Sequence, residues 1–503
     1  MDASVVRFIV RYGVLLLLGL FILQLISTVL AILSERREPS ATLAWLMVVV
    51  FFPVGGIILY YALARGRFHR HYRKREQNLR KVQATLSSCV ERCRADSAVP
   101  SSELPAVERG LVKLAEKSSD LPDTGPPFAG NVVEQYSHGA AKFGALMDAI
   151  RSARSHIHLE YYIVRADQTG TEIRDLLIEK AKQGVEVRFL YDGIGSLYAH
   201  QTNFFRDLKE AGGSVEAFLP LKFARIVERV NFRNHRKIAV IDGRVGFVGG
   251  MNIGNEYVGR KSRYSRKYKG WRDAHLQIDG PAVAALQRIF LTDWLLATYK
   301  RGKVGEDFAD VRYFPTVEPV GDELVQIITS GPGCQWPTLQ HQFLQAINTA
   351  EEQALIVTPY FVPDRSLLMA LESAALRGVD ARLLLPRDTD HRLVTSAARS
   401  YYEQLLEAGV RIFEYTGGYL HSKTISVDGR YGCVGSANMD IRSFTLNFEA
   451  SAFVYSARFA DSLRRQFLAD VGDSVEIQLE PFRQRPRMRK FGQSLAQLLS
   501  PVM

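Results

Sequence analysis

The chain has 503 residues, enough to bury a large core and to hold several domains or one large duplicated one. Its net charge of +11 and pI near 9.4 suit an anionic partner, nucleic acid or an acidic membrane surface, and equally the basic cytosolic loops of an integral membrane protein. The four cysteines argue against a zinc site: Cys89 and Cys93 form a CxxxC without a nearby His or further Cys, while Cys334 and Cys433 stand alone, so reduced thiols in a cytosolic setting are expected.

Val14 to Leu33 is apolar and uncharged, and about 20 such residues span a bilayer core. Ala41 to Leu63 reads as a second span, interrupted only by Pro53, Gly55 and Gly56, which membrane helices tolerate. The length of the first run and the second run just after it argue against a cleaved signal peptide. Arg65, Arg67, Arg70, Arg73, Lys74 and Arg75 follow, so the positive-inside rule makes that end cytoplasmic; Arg7 and Arg11 put the N-terminus on the same side. The basic run also suits contact with anionic lipid. Residues 1–65 are therefore expected to form a transmembrane helical hairpin. Residues 66–127, charged and then Pro/Ser-rich, read as a helical connector and linker.

From residue 128 the pattern is α/β, and it repeats. Ile157 to Ile163 matches Leu355 to Phe361, Gly184 to Leu190 matches Gly378 to Leu384, and Glu210-Ala211-Gly212 matches Glu407-Ala408-Gly409. The order helix, strand, helix, strand, helix, hairpin is the same in both copies, so 128–316 and 317–503 are read as duplicated halves. Each half should form a sheet with helices on both faces, and the halves should meet about a pseudo-twofold axis. The first half adds an insertion, Leu219 to Val230, and a basic-aromatic run, Arg260 to Trp271; both suit a solvated loop or lipid contact. The tail, Arg483 to Lys490 and then Phe491, Leu495, Leu498 and Leu499, reads as a short amphipathic helix behind a basic patch, suited to docking on the domain or on a bilayer.

The repeated hairpin carries the chemistry. Asn234-His235-Arg236-Lys237 leads to Asp242-Gly243 and then Gly249-Gly250-Met251-Asn252; His421-Ser422-Lys423 leads to Asp428-Gly429 and then Gly435-Ser436-Ala437-Asn438. Each copy reads as strand, Asp-Gly turn, strand. Alternation puts His235 with Lys237, and His421 with Lys423, on one strand face. Asp242 and Asp428 belong to the motif and are counted with the catalytic set, although they fall at the other parity. Two imidazoles and two ammonium groups suit a phosphodiester. Lys237 and Lys423, with Asn252, Ser436 and Asn438, would hold phosphoryl oxygens; one imidazole would attack phosphorus and the other would serve as acid and base. The lysines take a cation's place, so neither metal nor cofactor is expected. Asp273 follows the first hairpin and Glu449 the second; these are the candidate orienters of the histidines.

The duplicated HxKxxxxDG resembles the phospholipase D superfamily. The wording Asn234 to Lys237, Gly249 to Gly254, Trp271-Arg272-Asp273 and Gly435 to Ser443, with the paired N-terminal spans, resembles its bacterial cardiolipin synthase branch. That resemblance implies a duplicated α/β/α fold behind a transmembrane hairpin, with one active site shared by both halves. It also implies a phosphatidyl-histidine intermediate and Asp273 and Glu449 paired with the histidines. The implied reaction converts two phosphatidylglycerols to cardiolipin and glycerol, on the cytoplasmic side of a bacterial inner membrane. His235 is assigned as nucleophile and His421 as acid and base. Phosphatidylglycerol and anionic membrane lipids are the expected partners, and no nucleic acid is expected. A phospholipase D hydrolase, a phosphatidyltransferase using another alcohol such as serine, a nuclease and an inactive lipid-binding scaffold are the alternatives.

Overall fold

Runs of Val, Ile, Leu and Phe alternate with helical segments from residue 128 on. The computed structural model, which describes residues 3–34, 39–61, 84–93, 99, 101–118, 125–220, 232–262, 270–298, 310–332, 334, 336–389 and 391–498, gathers those runs into two sheets of one design. The first sheet draws on β1 (Phe128–His138), β2 (His156–Tyr161), β3 (Glu186–Asp192), β4 (Ser214–Phe218), β6 (Lys237–Ile241), β7 (Val245–Gly249) and β8 (Trp271–Asp279), with the short β5 (Arg233–Asn234) leading into β6. Its order is β1-β8-β7-β6-β2-β3-β4, parallel across β2, β3 and β4 and antiparallel elsewhere. The second draws on β9 (Glu323–Ser330), β10 (Gln353–Val357), β12 (Asp380–Pro386), β13 (Arg411–Tyr415), β15 (Thr424–Val427), β16 (Tyr431–Gly435) and β18 (Asn447–Val454). Short pieces β11 (Phe361–Val362), β14 (Tyr419–Leu420) and β17 (Met439–Asp440) flank it. Its order, β9-β18-β16-β15-β10-β12-β13, repeats the first strand for strand. Helices Gln168–Lys182 and Arg365–Leu376 make the matching parallel crossovers, each opened by an aspartate cap, Asp167 on Gly170 N and Asp364 on Leu367 N.

Each motif strand ends in a tight turn whose two central residues have positive φ: 53° and 65° at Asp242-Gly243, 52° and 62° at Asp428-Gly429. That is the type I′ hairpin that Asp-Gly favours. The Asp242 carboxylate accepts from the backbone N–H groups of Arg154, Ser155 and His156 at 2.8–2.9 Å. Asp428 accepts from those of Glu351, Glu352 and Gln353 at the same distances. The motif aspartates thus clamp each hairpin to the start of β2 or β10. Six residues of extended chain, roughly 20 Å, separate each from its histidine. Placing Asp242 and Asp428 among the catalytic groups is corrected accordingly: their parity and their amide cradle make them turn anchors.

The halves exchange edges. In β18, Asn447 and Phe448 pair in parallel with Arg233 and Asn234 of β5; in β8, Trp271 and Arg272 pair in parallel with Tyr419 and Leu420 of β14. This reciprocal pairing is the pseudo-twofold contact. Part of the segment read as a linker also belongs to the core. Helix Ala106–Ser118 buries Leu111 and Ala115 with Ile328, Leu339 and Phe343 of the second half, and Glu108 pairs with Arg430 at 2.7 Å. Its apolar residues recur at helical spacing, Val107, Leu111, Ala115, beneath a charged surface.

The N-terminal helices form a unit of their own. Helix Ala3–Ser34 contains one stretch, Tyr12–Ser34, long and apolar enough to cross a membrane. The second span differs from the expected single run over 41–63. Helix Pro39–Phe51 stops, and Pro53–Leu59 starts again, because Pro53 lacks the N–H that would continue the ladder. The pieces pack on the first helix through Ile32, Val49 and Tyr60. Residues Arg65 to Arg75, most of the 219–230 insertion, 263–269 of the basic-aromatic run and Leu499 lie outside the described residues.

Candidate active site

His235 follows β5 and His421 follows β14, so the edge exchange sets both. The His235 N–H donates to the Phe448 carbonyl at 2.9 Å, and the His421 N–H to the Arg272 carbonyl at 2.7 Å. Each histidine is thereby laid beside the acidic residue that follows its acceptor in the other half. His235 Nδ1 lies 3.0 Å from both Glu449 oxygens, and His421 Nδ1 lies 2.6 Å from Asp273 Oδ2. Asp273 and Glu449, the expected orienters, each contact the histidine of the opposite half, not the one that their own hairpin carries.

Burial alone would raise both carboxyls. For Glu449 the opposing pull of His235 and Lys237 wins, and for Asp273 that of Lys423 and His421, so both are held below the usual carboxylate range. Ionised carboxylates only accept, so each Nδ1 carries the proton and each Nε2 keeps its lone pair. Burial lowers His235 to about 4 against the pull of Glu449; burial and Lys423 lower His421 against the pull of Asp273. Both rings rest neutral at pH 7.

The lysines sit against the motif histidines, Lys423 Nζ 2.9 Å from His421 Nδ1. Lys237 Nζ donates to the His235 carbonyl and Lys423 Nζ to the His421 carbonyl. Burial brings Lys237 down to about 7, with Glu449 opposing and Lys423 assisting. Lys423 also acts on His235 and Lys237 on His421, so the four groups share one electrostatic neighbourhood.

Three expected phosphate contacts have different placements. Ser436 Oγ donates to Glu449 and accepts from the Ala450 N–H, so it fixes the carboxylate. Asn252 is committed at both ends, accepting from Ile163 N at 3.0 Å and donating to Tyr257 Oη at 2.9 Å; it braces the loop after β2. Asn438 differs, since its buried Oδ1 has no partner among the described residues. In the first half Gly250 stands where Ser436 stands in the second, because a Cβ there would overlap the Asp273 carboxylate.

Sequence reading missed the aromatic wall and one arginine. Tyr162 meets His235 edge-on at 4.9 Å and lies 5.2 Å from Lys237 Nζ. Trp271, Tyr257 and Tyr419 stand 5.4, 6.1 and 6.1 Å from His421. The repeat gave no signal for Tyr162, whose counterpart in the second sheet is Pro359; Tyr360, the next residue, contacts Tyr419 Oη through its own Oη at 3.2 Å. Arg233, two residues before His235 and on the same strand face, is 3% exposed. Its Nη1 donates to Asp192 at 3.1 Å, and Nε and Nη2 have no partner among the described residues.

The family model described as "Cardiolipin synthase, PLD-like domain" matches residues 146–294 and 343–471, and a phospholipase D-nuclease N-terminal model matches 22–65. The chain is 40% identical over 479 residues to a cardiolipin synthase of Halalkalibacterium halodurans, covering 94% of this chain and 91% of that one. It is 38% identical over 484 residues to the major cardiolipin synthase ClsA of Bacillus subtilis, covering 96% and 98%. The crystal structure of a phosphatidylserine synthase from Haemophilus influenzae superposes with a TM-score of 0.57 at 16% identity, over 78% of this chain and 97% of that one, which bears on the fold alone. Two matching family models and relatives aligned over nearly their whole length make this chain a member of the bacterial cardiolipin synthase family within the phospholipase D-like proteins.

Proposed function

We propose that the protein is a membrane-bound phosphatidyltransferase that converts two phosphatidylglycerols to cardiolipin and glycerol. The observation that carries this reading is the crossed pair of His–carboxylate contacts, drawn with two lysines into one neighbourhood. His235 Nε2 attacks the phosphorus of one phosphatidylglycerol, forming a P–N bond as the P–O bond to glycerol breaks. His421, protonated once the anionic substrate is in place, gives its proton to the departing glycerol oxygen. The terminal headgroup hydroxyl of a second phosphatidylglycerol then yields its proton to His421 and attacks phosphorus. The P–N bond breaks and cardiolipin leaves, with His421 again carrying the proton for the next cycle.

The short 2.6 Å contact to an ionised aspartate suits His421 for holding that proton. Lys237, Lys423 and the uncommitted donors of Arg233 hold the phosphoryl and headgroup oxygens, so the chemistry needs no metal. The N-terminal helices hold the site at a surface rich in lipid alcohol, which favours transfer over hydrolysis. The charge pattern around them supports a multi-pass anchor with the catalytic halves on the cytoplasmic side.

The test is purified protein in phosphatidylglycerol vesicles with chelator present. One glycerol released per cardiolipin formed is expected. Phosphatidic acid as sole product means a hydrolase, and vesicle binding without turnover means a scaffold. His235→Ala and His421→Ala should each abolish turnover, and a near-normal rate in either contradicts a shared site.

A further inference from the structure

The last helix, Arg487–Leu498, turns Met488, Phe491, Leu495 and Leu498 to solvent, 79%, 65%, 51% and 76% exposed. At 3.6 residues per turn these four share an arc of about 80°. A different side of the helix seats the buried Ala496 against Val362, Val394 and Ala397, so the helix is docked on its domain and its apolar stripe is still uncovered. The flanking charge is divided. Arg483, Arg485 and Lys490 pair with Glu403, Glu407 and Glu480. Arg487 and Arg489 are exposed, and neither has an ion-pair partner among the described residues.

The dock leads to the active site through contiguous contacts. Val362 lies on β11, which begins directly after Tyr360. Tyr360 packs 6.0 Å from His391, which opens the helix carrying Val394 and Ala397, and its Oη meets that of Tyr419. Tyr419 in turn stacks near His421. The stripe therefore belongs to the end of the second sheet where His421 sits.

We propose that this face is a lipid-contact surface. The helix lies in the headgroup–acyl boundary of an anionic bilayer, with Met488, Phe491, Leu495 and Leu498 turned inward and Arg487 and Arg489 at the lipid phosphates. It presents the His421 side of the site to the membrane from which substrate enters. Four large apolar side chains beside two exposed guanidinium groups match an anionic interface, which takes up apolar area and positive charge together. The purpose of this contact rests on the lipid-transfer reading, but its test does not.

The experiment attaches an environment-sensitive fluorophore to Phe491→Cys or Arg489→Cys in the full-length protein, with the partly exposed Cys93 and Cys334 changed to serine. The protein is reconstituted in phosphatidylglycerol vesicles with or without brominated acyl chains. At 491 the emission shifts to the blue and bromine quenches it; at 489 it is not quenched. Zwitterionic vesicles weaken the quenching. A 491 probe that stays aqueous, or one whose shift ignores bromine because another copy of the chain covers it, overturns the proposal. Phe491→Glu with Leu495→Glu should slow transfer on bilayers about 10-fold, the equivalent of 1.4 kcal/mol, and leave transfer between short-chain lipids in mixed micelles within about twofold. Equal loss in both assays also overturns it. Absence of glycerol release with quenching intact would instead count against the proposed reaction alone.

Discussion

Replacing Glu449 by Gln keeps the shape of the side chain and removes the charge that faces His235. In the native site the imidazole Nδ1–H sits 3.0 Å from both carboxylate oxygens, with Ser436 steadying one of them. In the proposed reaction the His235 ring becomes cationic as it bonds to phosphorus, and Glu449 would stabilise that cation. A hydrogen bond to a charged group contributes roughly 1.5–3 kcal/mol net, so its loss should slow nucleophilic attack about 10- to 150-fold. The assay is the burst of nitrophenol from phosphatidyl-p-nitrophenol in mixed micelles, because that leaving group departs without a proton. Asp273→Asn, which disables the acid pair instead, should leave the burst within about threefold of wild type and slow the subsequent turnover. An adduct on His235 whose formation depended on Asp273 and ignored Glu449 would refute the crossed pairing.

Lys237, brought down to about 7, should give kcat/KM a basic limb near that pH, since the phosphate needs the ammonium form; His235, at about 4, should confine the acid limb to below pH 5. The same lysine makes native stability rise from pH 7 toward the usual lysine value, because there the unfolded chain binds the proton the native chain has released; a flat kcat/KM across pH 6–8 would contradict the buried-lysine assignment. Asp242→Ala and Asp428→Ala each remove three amide contacts at a positive-φ turn and should cost roughly 2–4 kcal/mol, read as a lower midpoint of thermal inactivation with the rate per folded molecule within about threefold. Gly250→Ala should displace Asp273 from His421 and lower kcat about 10-fold or more, with phosphatidylglycerol KM little changed; wild-type kcat would mean the carboxylate has room that the packing denies it.

The motif strands, their Asp-Gly turns and the duplicated element order were legible because each is local: alternation, a turn dipeptide, a repeat. The carboxylate pairing was not. Sequence proximity favours Asp273 beside His235, while the edge exchange of β5 with β18 and β14 with β8 is a long-range pairing that leaves no local trace. Ser436 and Asn252 read as phosphate contacts because their neighbours, a buried glutamate and a bare loop N–H, come from distant segments. Helix Ala106–Ser118 was masked by its charged face, and the second apolar run by composition alone, which carries no sign that Pro53 would divide it. Neither Tyr162, which matches Pro359 in the second half, nor the free donors that Arg233 shows among the described residues left a local trace.

The most direct test is to mix His421→Ala protein with phosphatidyl-p-nitrophenol labelled in the phosphatidyl group, whose leaving group needs no proton, quench in alkaline detergent, and map the label. With the second imidazole gone, no base remains to activate the alcohol that would release what His235 captures, so label should accumulate on the peptide containing His235, and should do so about 10- to 150-fold more slowly when Glu449→Gln is added. Label on any other residue, or none under conditions where wild-type enzyme makes cardiolipin, would mean that the two imidazoles do not work on one phosphorus atom.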